Sequence, residues 1–139
     1  MKVTEVIPCS TLVSYSLPLY ETKVQAGFPS PADDYMSRKL DLNTYLIKHP
    51  AATFFIRVTG DSMIDAGIRE NDLLIVDKSL EATNGKVVIA VFNGEFMVKR
   101  YKIIKGQAYL APENKDFLPM KLGEGCYIWG VLTSVIHQF

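Results

Sequence analysis

Among the residues that could do chemistry, the most promising lie in the segment Gly60-Asp61-Ser62-Met63-Ile64-Asp65. This segment directly follows an apolar run typical of a strand, so Ser62 would present its hydroxyl at a strand end. The backbone N–H groups of Ser62 and Met63 could then bind the oxyanion that forms when a serine attacks a carbonyl. The simpler interpretation is a polar turn in which Ser62 bonds to its own backbone. Ser62 is therefore a candidate nucleophile that needs a base.

A candidate base is Lys99, which lies in the β-prone run from Glu95 to Ile104. Side chains alternate along a strand, so Lys99 shares a face with the apolar or aromatic residues Met97, Tyr101 and Ile103. A cation is unusual on such a face. If that face is buried, desolvation lowers the pKa of Lys99 from its ordinary value of about 10.4, and a base useful near neutrality needs about 7 to 8. The alternative is an edge-strand lysine whose amine reaches water.

The dipeptide Ala26-Gly27 could supply a bond for such a pair to cut. Two small side chains let a peptide bond enter a shallow cleft and let a nucleophile come close. Val24, two residues earlier, could anchor the segment as an added strand along a sheet edge. Without other observations, the same dipeptide is simply a flexible hinge.

Two other kinds of site are less well supported. Cys9 could act as a nucleophile with His49 or His137, but no pattern places either imidazole near this thiol. A metal site is not indicated, because the acidic residues lack the spacing and central glycine of a calcium loop and are better explained as solvated turns. We therefore expect neither a metal nor a cofactor. The acidic residues in question are Asp61, Asp65, Asp72 and Asp77.

The elements that must position these residues are predicted to be mostly strands. Asn93-Gly94 is a strong hairpin signal, because both residues tolerate the positive φ of a tight turn. Short β-prone runs surround it at close spacing, which indicates a compact, mostly β domain. The predicted strands are 53–58, 72–76, 86–92, 95–104, 107–111 and 127–136.

Helices are predicted only before these strands. Residues 1–26 are predicted to form a flexible arm, since Pro8 and Pro18 interrupt any helix. Ser30-Pro31 favours the start of a short helix that runs to about Lys39. A second helix, Leu42 to Lys48, would be capped by Asp41 and ended by Pro50. The predicted division is thus an arm of residues 1–26 and a β domain of residues 27–139.

Bulk composition narrows the function classes. Fifteen basic residues balance fifteen acidic ones, so the chain lacks the charge of a stand-alone nucleic-acid binder. The longest apolar run, Val87 to Phe92, is far shorter than the roughly 20 residues of a membrane span. Cys9 and Cys126 show no metal-ligand spacing, which favours free thiols in a reducing cytosol. We expect a cytoplasmic protein without a membrane segment.

Taken together and in order, these segments resemble the self-cleaving UmuD mutagenesis proteins, which are relatives of the LexA repressor and of type I signal peptidases. The resemblance runs from about Val24 to the last strand, and the serine loop and the lysine strand are its most specific parts. The matching segments are 24–31, 40–43, 49–50, 60–65, 72–77, 94–96 and 98–99.

The resemblance implies a LexA-like catalytic β domain in which Ser62 is the nucleophile, Lys99 the general base and Ala26-Gly27 the bond that is cut. It also implies a homodimer that responds to the RecA–single-stranded DNA filament and then joins a UmuC-type subunit of an error-prone polymerase. LexA repressors carry an N-terminal DNA-binding domain. The 26 residues that precede the cut are too few for one, so we expect no sequence-specific DNA binding.

Three functions remain open at this point. The leading one is a self-processing serine peptidase active in SOS mutagenesis. The second is a non-catalytic dimeric interaction module that regulates a DNA polymerase. The third is a peptidase that cuts other proteins, as signal peptidases do.

Overall fold

Antiparallel strands dominate the computed structural model, which describes residues 1–9, 16–20, 36–113, 115, 118–123 and 125–139. The chain divides into two compact units. One unit comprises Met1–Ser10 together with His49–Phe139, and the other comprises Thr11–Lys48.

The larger unit contains an eight-stranded sheet within the described residues. Its strands are β1 (Lys2–Pro8), β4 (Thr53–Thr59), β5 (Leu73–Asp77), β6 (Val87–Phe92), β7 (Glu95–Ile104), β8 (Gln107–Ala111), β9 (Met120–Lys121) and β10 (Cys126–Ile136). They follow the order β1-β4-β5-β10-β6-β7-β8-β9 in the sheet, and β1 also pairs with β7 through Lys2 and Met97. This second pairing closes a ring, so the sheet is barrel-like.

Burial explains why the central strands form. Four of the five residues of β5 are buried, as expected of a β-branched and leucine-rich run that is covered on both faces. The β6–β7 hairpin turns at Asn93 and Gly94, whose φ angles of 49° and 77° are those of the predicted tight turn. The main core cluster consists of Ile56, Val58, Met63, Ile68, Leu74, Val76, Ile89 and Val98.

The smaller unit contains a two-stranded antiparallel ribbon and one short helix. The ribbon pairs β2 (Ser16–Tyr20) with β3 (Met36–Asp41), and helix α1 (Leu42–Leu46) follows directly. Asp41 caps α1 by accepting hydrogen bonds from the N–H of Asn43 and the hydroxyl of Thr44. None of the helices in the described part of the chain is long and apolar enough to cross a membrane.

The mostly β fold class is confirmed, as are the capped helix after Asp41 and the six predicted strands. The predicted helix from Ser30 to Lys39 is wrong over the residues that the structure describes, because residues 36–39 belong to β3 and bond to β2 instead. The strands β1, β2 and β9 are not predicted by the sequence pattern. In β1 a register shift between Val3 and Glu5 interrupts the alternation that would have indicated it.

Candidate active site

The serine loop begins where β4 ends. Gly60 has a φ of 96°, a left-handed conformation that favours glycine, and it turns the chain away from the sheet. Ser62 follows with only 4% of its surface exposed. The predicted position of this serine at a strand end is therefore confirmed, and its hydroxyl lies in a largely dry environment.

Met63 anchors this loop in the core. Its side chain is fully buried in the main cluster, and its sulfur accepts a hydrogen bond from the backbone N–H of Glu113 at 3.3 Å. The backbone carbonyl of Glu113 in turn accepts from the N–H of Asp65 at 2.9 Å. The loop around Ser62 is thus fixed on one side by core packing and on the other by the segment after β8.

An ion pair links the same segment to β7. The guanidinium of Arg100 contacts the carboxylate of Glu113, and it also donates to the backbone carbonyl of Gly85 at 2.7 Å. Because Arg100 is the next residue after Lys99, Glu113 ties the lysine strand to the serine loop. Sequence patterns gave no indication of Glu113, which stands 51 residues beyond Ser62 in an irregular segment.

Lys99 lies in β7 opposite Val88 of β6 and is partly buried. The alternation predicted for β7 is confirmed by its neighbours, since Val98 belongs to the main core cluster and Tyr101 packs against a second cluster around Leu110. Burial lowers the pKa of the Lys99 amine below its ordinary value. The direction is the one that a general base requires.

The amine of Met1 contacts Ser62, and the charge of Lys99 influences its pKa. It donates a hydrogen bond to the hydroxyl of Ser62. Its pKa is lowered first by burial and then by the positive charge of Lys99, while Asp61 opposes the shift. The backbone carbonyl of Met1 accepts from the N–H of Val98 at 3.3 Å. No sequence signal pointed to Met1, because its role depends on a contact across 61 residues.

This arrangement places a buried hydroxyl and two desolvated amines in one neighbourhood. A neutral amine in such a place can take the proton of a serine hydroxyl as that hydroxyl attacks a carbonyl. In the observed state, however, the hydroxyl of Ser62 already accepts a hydrogen bond from Met1. The hydroxyl of Ser62 is therefore engaged by the N-terminal amine in this state.

The roles of Ser62 as nucleophile and Lys99 as general base stay predictions, as do the scissile bond and the oxyanion hole. Ala26-Gly27 lies outside the described residues. The assignment of an oxyanion hole to the N–H groups of Ser62 and Met63 also stays a prediction. The loop's own hydrogen bonds engage Ile64, whose N–H donates to the carbonyl of Asp61, and Met63, whose carbonyl accepts from Ala66.

Both histidines are engaged by carboxylates. The Nδ1 atom of His49 lies 2.5 Å from Asp77, and that of His137 lies 2.6 Å from Asp72. These two aspartates are buried, so the prediction that they lie in solvated turns is wrong. Their burial is compensated by the imidazoles and by further donors, namely the backbone N–H of Arg69 to Asp72 and both the hydroxyl and the N–H of Ser79 to Asp77.

Known proteins are similar in sequence to most of this chain. The family described as "Peptidase S24-like" matches residues 18–133. The chain is similar to the protein ImpA of Salmonella typhimurium, with 46% identity over 90% of this chain and 86% of ImpA. It is also similar to the protein SamA of Salmonella typhimurium, with 44% identity over 96% of this chain and 94% of SamA.

A fourth similarity is to the LexA repressor of Clostridium perfringens, with 37% identity over 84% of this chain and 57% of the repressor. The resemblance inferred from the serine loop and the lysine strand is thereby confirmed. Family match and relatives together cover most of the sequence, including both Ser62 and Lys99. The chain belongs to the S24-like peptidase family.

Proposed function

We propose that this chain is a self-cleaving serine–lysine peptidase that cuts its own Ala26-Gly27 bond. In this proposal the RecA–single-stranded DNA filament triggers the cut, and the shortened chain becomes a subunit of an error-prone translesion DNA polymerase in SOS mutagenesis. The observation that carries the proposal is the partly buried amine of Lys99, whose charge acts on the same Met1 amine that contacts Ser62. Membership of a peptidase family supports it.

The chemistry would proceed in two balanced stages. Neutral Lys99 takes the hydroxyl proton of Ser62 as the Oγ atom bonds to the carbonyl carbon of Ala26, and the N–H groups of Ser62 and Met63 hold the oxyanion. The Lys99 ammonium then gives its proton to the nitrogen of Gly27, the peptide bond breaks, and an acyl ester remains on Ser62. Water activated by Lys99 hydrolyses that ester and releases residues 1–26 with a free carboxylate.

Because the substrate is tethered to the enzyme, little binding energy is needed. Correct positioning alone can supply effective molarities of about 10⁵ M or more. Slow spontaneous cutting then follows if Lys99 is mostly protonated or if the scissile segment is mostly undocked. The filament would act by favouring the docked state, which shifts a population and adds no new chemistry.

The proposal also covers the protein's cellular location, oligomeric state and partners. We place it in the cytoplasm as a homodimer, with the RecA–DNA filament and a UmuC-type polymerase subunit as its partners and without direct sequence-specific DNA binding. The competing proposal is a non-catalytic dimeric module that regulates a DNA polymerase. The occupied hydroxyl of Ser62 is the observation that favours it.

The decisive experiment is incubation of the pure chain between pH 7 and pH 10 without any filament. Self-cutting should accelerate with pH as Lys99 loses its proton, and mass spectrometry should find a new chain that begins at Gly27. Ser62→Ala and Lys99→Ala should each leave the chain intact, with rates lower by about 10³-fold or more. The matched control is Lys102→Ala, which removes an exposed lysine of the same strand and should cut normally.

Three results would contradict the proposal. Normal processing of Ser62→Ala or Lys99→Ala would remove the role assigned to that residue. A flat pH profile would exclude a lysine base. A chain that stays intact at every pH, with or without the filament, would favour the interaction module.

A further inference from the structure

Strand β1 runs between the two strands that carry the candidate catalytic residues. On one side it pairs with β4, which leads into the Ser62 loop, from Lys2 opposite Thr59 to Pro8 opposite Phe54. On the other side Lys2 pairs with Met97 of β7, two residues before Lys99. The first strand of the chain therefore fills the gap between the serine side and the lysine side of the site.

Met1, which directly precedes β1, lies next to the hydroxyl that a substrate carbonyl would have to approach. A carbonyl carbon must come within about 3 to 3.5 Å of the nucleophilic oxygen for attack. The nitrogen of Met1 already sits at hydrogen-bond distance from the Oγ atom of Ser62. Its Cα atom lies where a Cβ on Gly60 would meet it at 3.5 Å. Met1 and a scissile bond cannot occupy this space together.

Strand β1 makes few buried contacts with the rest of the larger unit. Six of its seven residues are exposed, and Val3 is the exception. Of residues 1–8, only Met1 and Val3 pack against the main core cluster. The rest is held by backbone hydrogen bonds, by the hydroxyl of Thr4 on the carbonyl of Arg57, and by a 3.6 Å ion pair between Glu5 and Arg57. Exposed ion pairs of this kind contribute at most about 1 kcal/mol.

We infer that the gap between β4 and β7 is an acceptor site for one extended peptide strand, and that β1 occupies it in competition with the scissile segment around Ala26-Gly27. Self-cutting then requires β1 to leave before residues 24–27 can dock. This inference rests on the proposed function, and it names the regulation of that same site. It assigns β1 an inhibitory role that depends on its register and on Met1, whichever subunit supplies the segment that is cut.

A reversible lock on β1 tests the inference directly. Glu5 and Arg57 are register partners with exposed side chains, so Glu5→Cys with Arg57→Cys should form a disulfide that holds β1 on β4. The background is Cys9→Ser with Cys126→Ser, which removes the native thiols. At pH 10 the oxidised protein should cut at least about 100-fold more slowly than the reduced protein, because the competent state is no longer accessible. The Glu5→Cys single variant, treated with the same oxidant, is the matched control.

A binding measurement separates this inference from the proposed chemistry. A fluorescent peptide with the sequence of residues 21–31 is titrated against the locked variant that also carries Ser62→Ala. The peptide should bind the reduced form at least about tenfold more tightly than the oxidised form. Equal binding, or equal cutting in the two forms, overturns the inference. Selective binding without any cutting in the parent protein supports the inference and contradicts the proposed function.

A variant that weakens the attachment of β1 should speed self-cutting, whereas the disulfide lock should slow it. Val3→Asp puts a charge against the core cluster and should speed alkaline self-cutting by about tenfold or more by raising the population with β1 detached. Ile7→Asp is the control, because Ile7 is already 42% exposed and should change the rate much less. Slower cutting by Val3→Asp in a folded protein would overturn the inference.

Discussion

Strand β4 has two neighbours, and they are held in very different ways. Ile56 of β4 pairs with Leu74 of β5 on one side and with Val6 of β1 on the other. Leu74 is fully buried, whereas Val6 is 37% exposed. The two strands bond to the same partner through the same antiparallel pattern, so the difference lies in the side chains. The comparison indicates that backbone hydrogen bonds set the position of a strand in this sheet. Burial of its side chains sets the free-energy cost of detaching it.

This contrast suggests two roles within the larger unit, one for the side with β5 and another for the side with β1. The side with β5 carries the core and must persist for the fold to exist, since hydrophobic burial is the dominant favourable contribution to stability. The side with β1 lies next to Met1, which contacts Ser62. We expect this side to open at a lower free-energy cost, because regions with few buried apolar contacts unfold locally first. Four predictions, each with its own substitutions, test how sharp the division is.

The largest effect is expected for truncation within the pair of strands compared above. Leu74→Ala should lower the free energy of unfolding by about 3 kcal/mol, because it removes buried contacts and leaves a cavity. Val6→Ala should lower it by less than about 1 kcal/mol, because its side chain is partly solvated already. Urea unfolding of the two variants measures both. Similar losses would mean that β1 is as firmly held as β5.

A smaller loss is expected on the far side of β5, where β10 packs. A Cβ atom on Gly130 would stand 2.6 Å from Cγ1 of Val76, so Gly130→Ala should destabilise the protein by about 2 kcal/mol through overpacking. Gly123→Ala is the control, since a Cβ there meets no atom within 4 Å. Thermal unfolding should give a lower melting temperature for Gly130→Ala than for Gly123→Ala. Equal melting temperatures would show that this contact relaxes without cost.

The next effect concerns Asp77 at the end of β5. Burial raises the pKa of this carboxyl, but hydrogen bonds from Ser79 and His49 outweigh it and hold the pKa below its ordinary value of 3.8. The carboxylate therefore stabilises the fold above that pH, and this stability is lost as the pH falls through the lower, folded-state value. Asp77→Asn should cost about 1 kcal/mol at pH 7.

Urea unfolding at several pH values checks this prediction. The difference between Asp77→Asn and the parent should shrink as the medium is acidified below pH 3.8. A difference that stays constant with pH would assign the loss to geometry rather than to charge.

The smallest effect is expected in β7, the other neighbour of β1. Since burial lowers the pKa of Lys99 in the folded state, the unfolded chain binds its proton more tightly, and stability rises with pH up to the ordinary value of 10.5. Lys99→Met should therefore be slightly more stable than the parent at pH 7, by less than about 1 kcal/mol given partial solvent screening.

Thermal unfolding of Lys99→Met and of the parent at pH 7 and pH 10 shows which of the two is more stable at each pH. The advantage of Lys99→Met should diminish at the higher pH, while Lys102→Met, at an exposed position of the same strand, should show no such trend. A Lys99→Met protein that is less stable than the parent at pH 7 would mean that packing of the lysine stem outweighs the cost of its buried charge.

Much of the fold was predictable because the central strands carry their own signals. β5 and β6 are apolar runs of strand length, and the Asn93-Gly94 turn fixes the hairpin between β6 and β7. The outer elements were harder. β3 follows a Ser-Pro helix signal and becomes a strand only because β2 pairs with it, which is a tertiary effect that no local propensity contains.

The candidate site was predictable where a motif marks it and not where distant segments meet. Ser62 and Lys99 stand out through a glycine turn and through a cation on an apolar face. Met1 and Glu113 do not, because their contacts with the serine loop span about fifty residues or more of sequence. The two His–Asp pairs were missed for the same reason, since they join residues 28 and 65 positions apart.

The pairing of Lys2 with Met97 gives the ring of strands its last link. A cut after Ala26 would sever the covalent connection of β1 to the rest of the chain. Once the fragment departs, β4 would present a row of unsatisfied backbone donors and acceptors, and such a row is a template for another strand. Loss of β1 would thus open the ring between β4 and β7. It would leave a sheet edge with which a strand from another chain could pair.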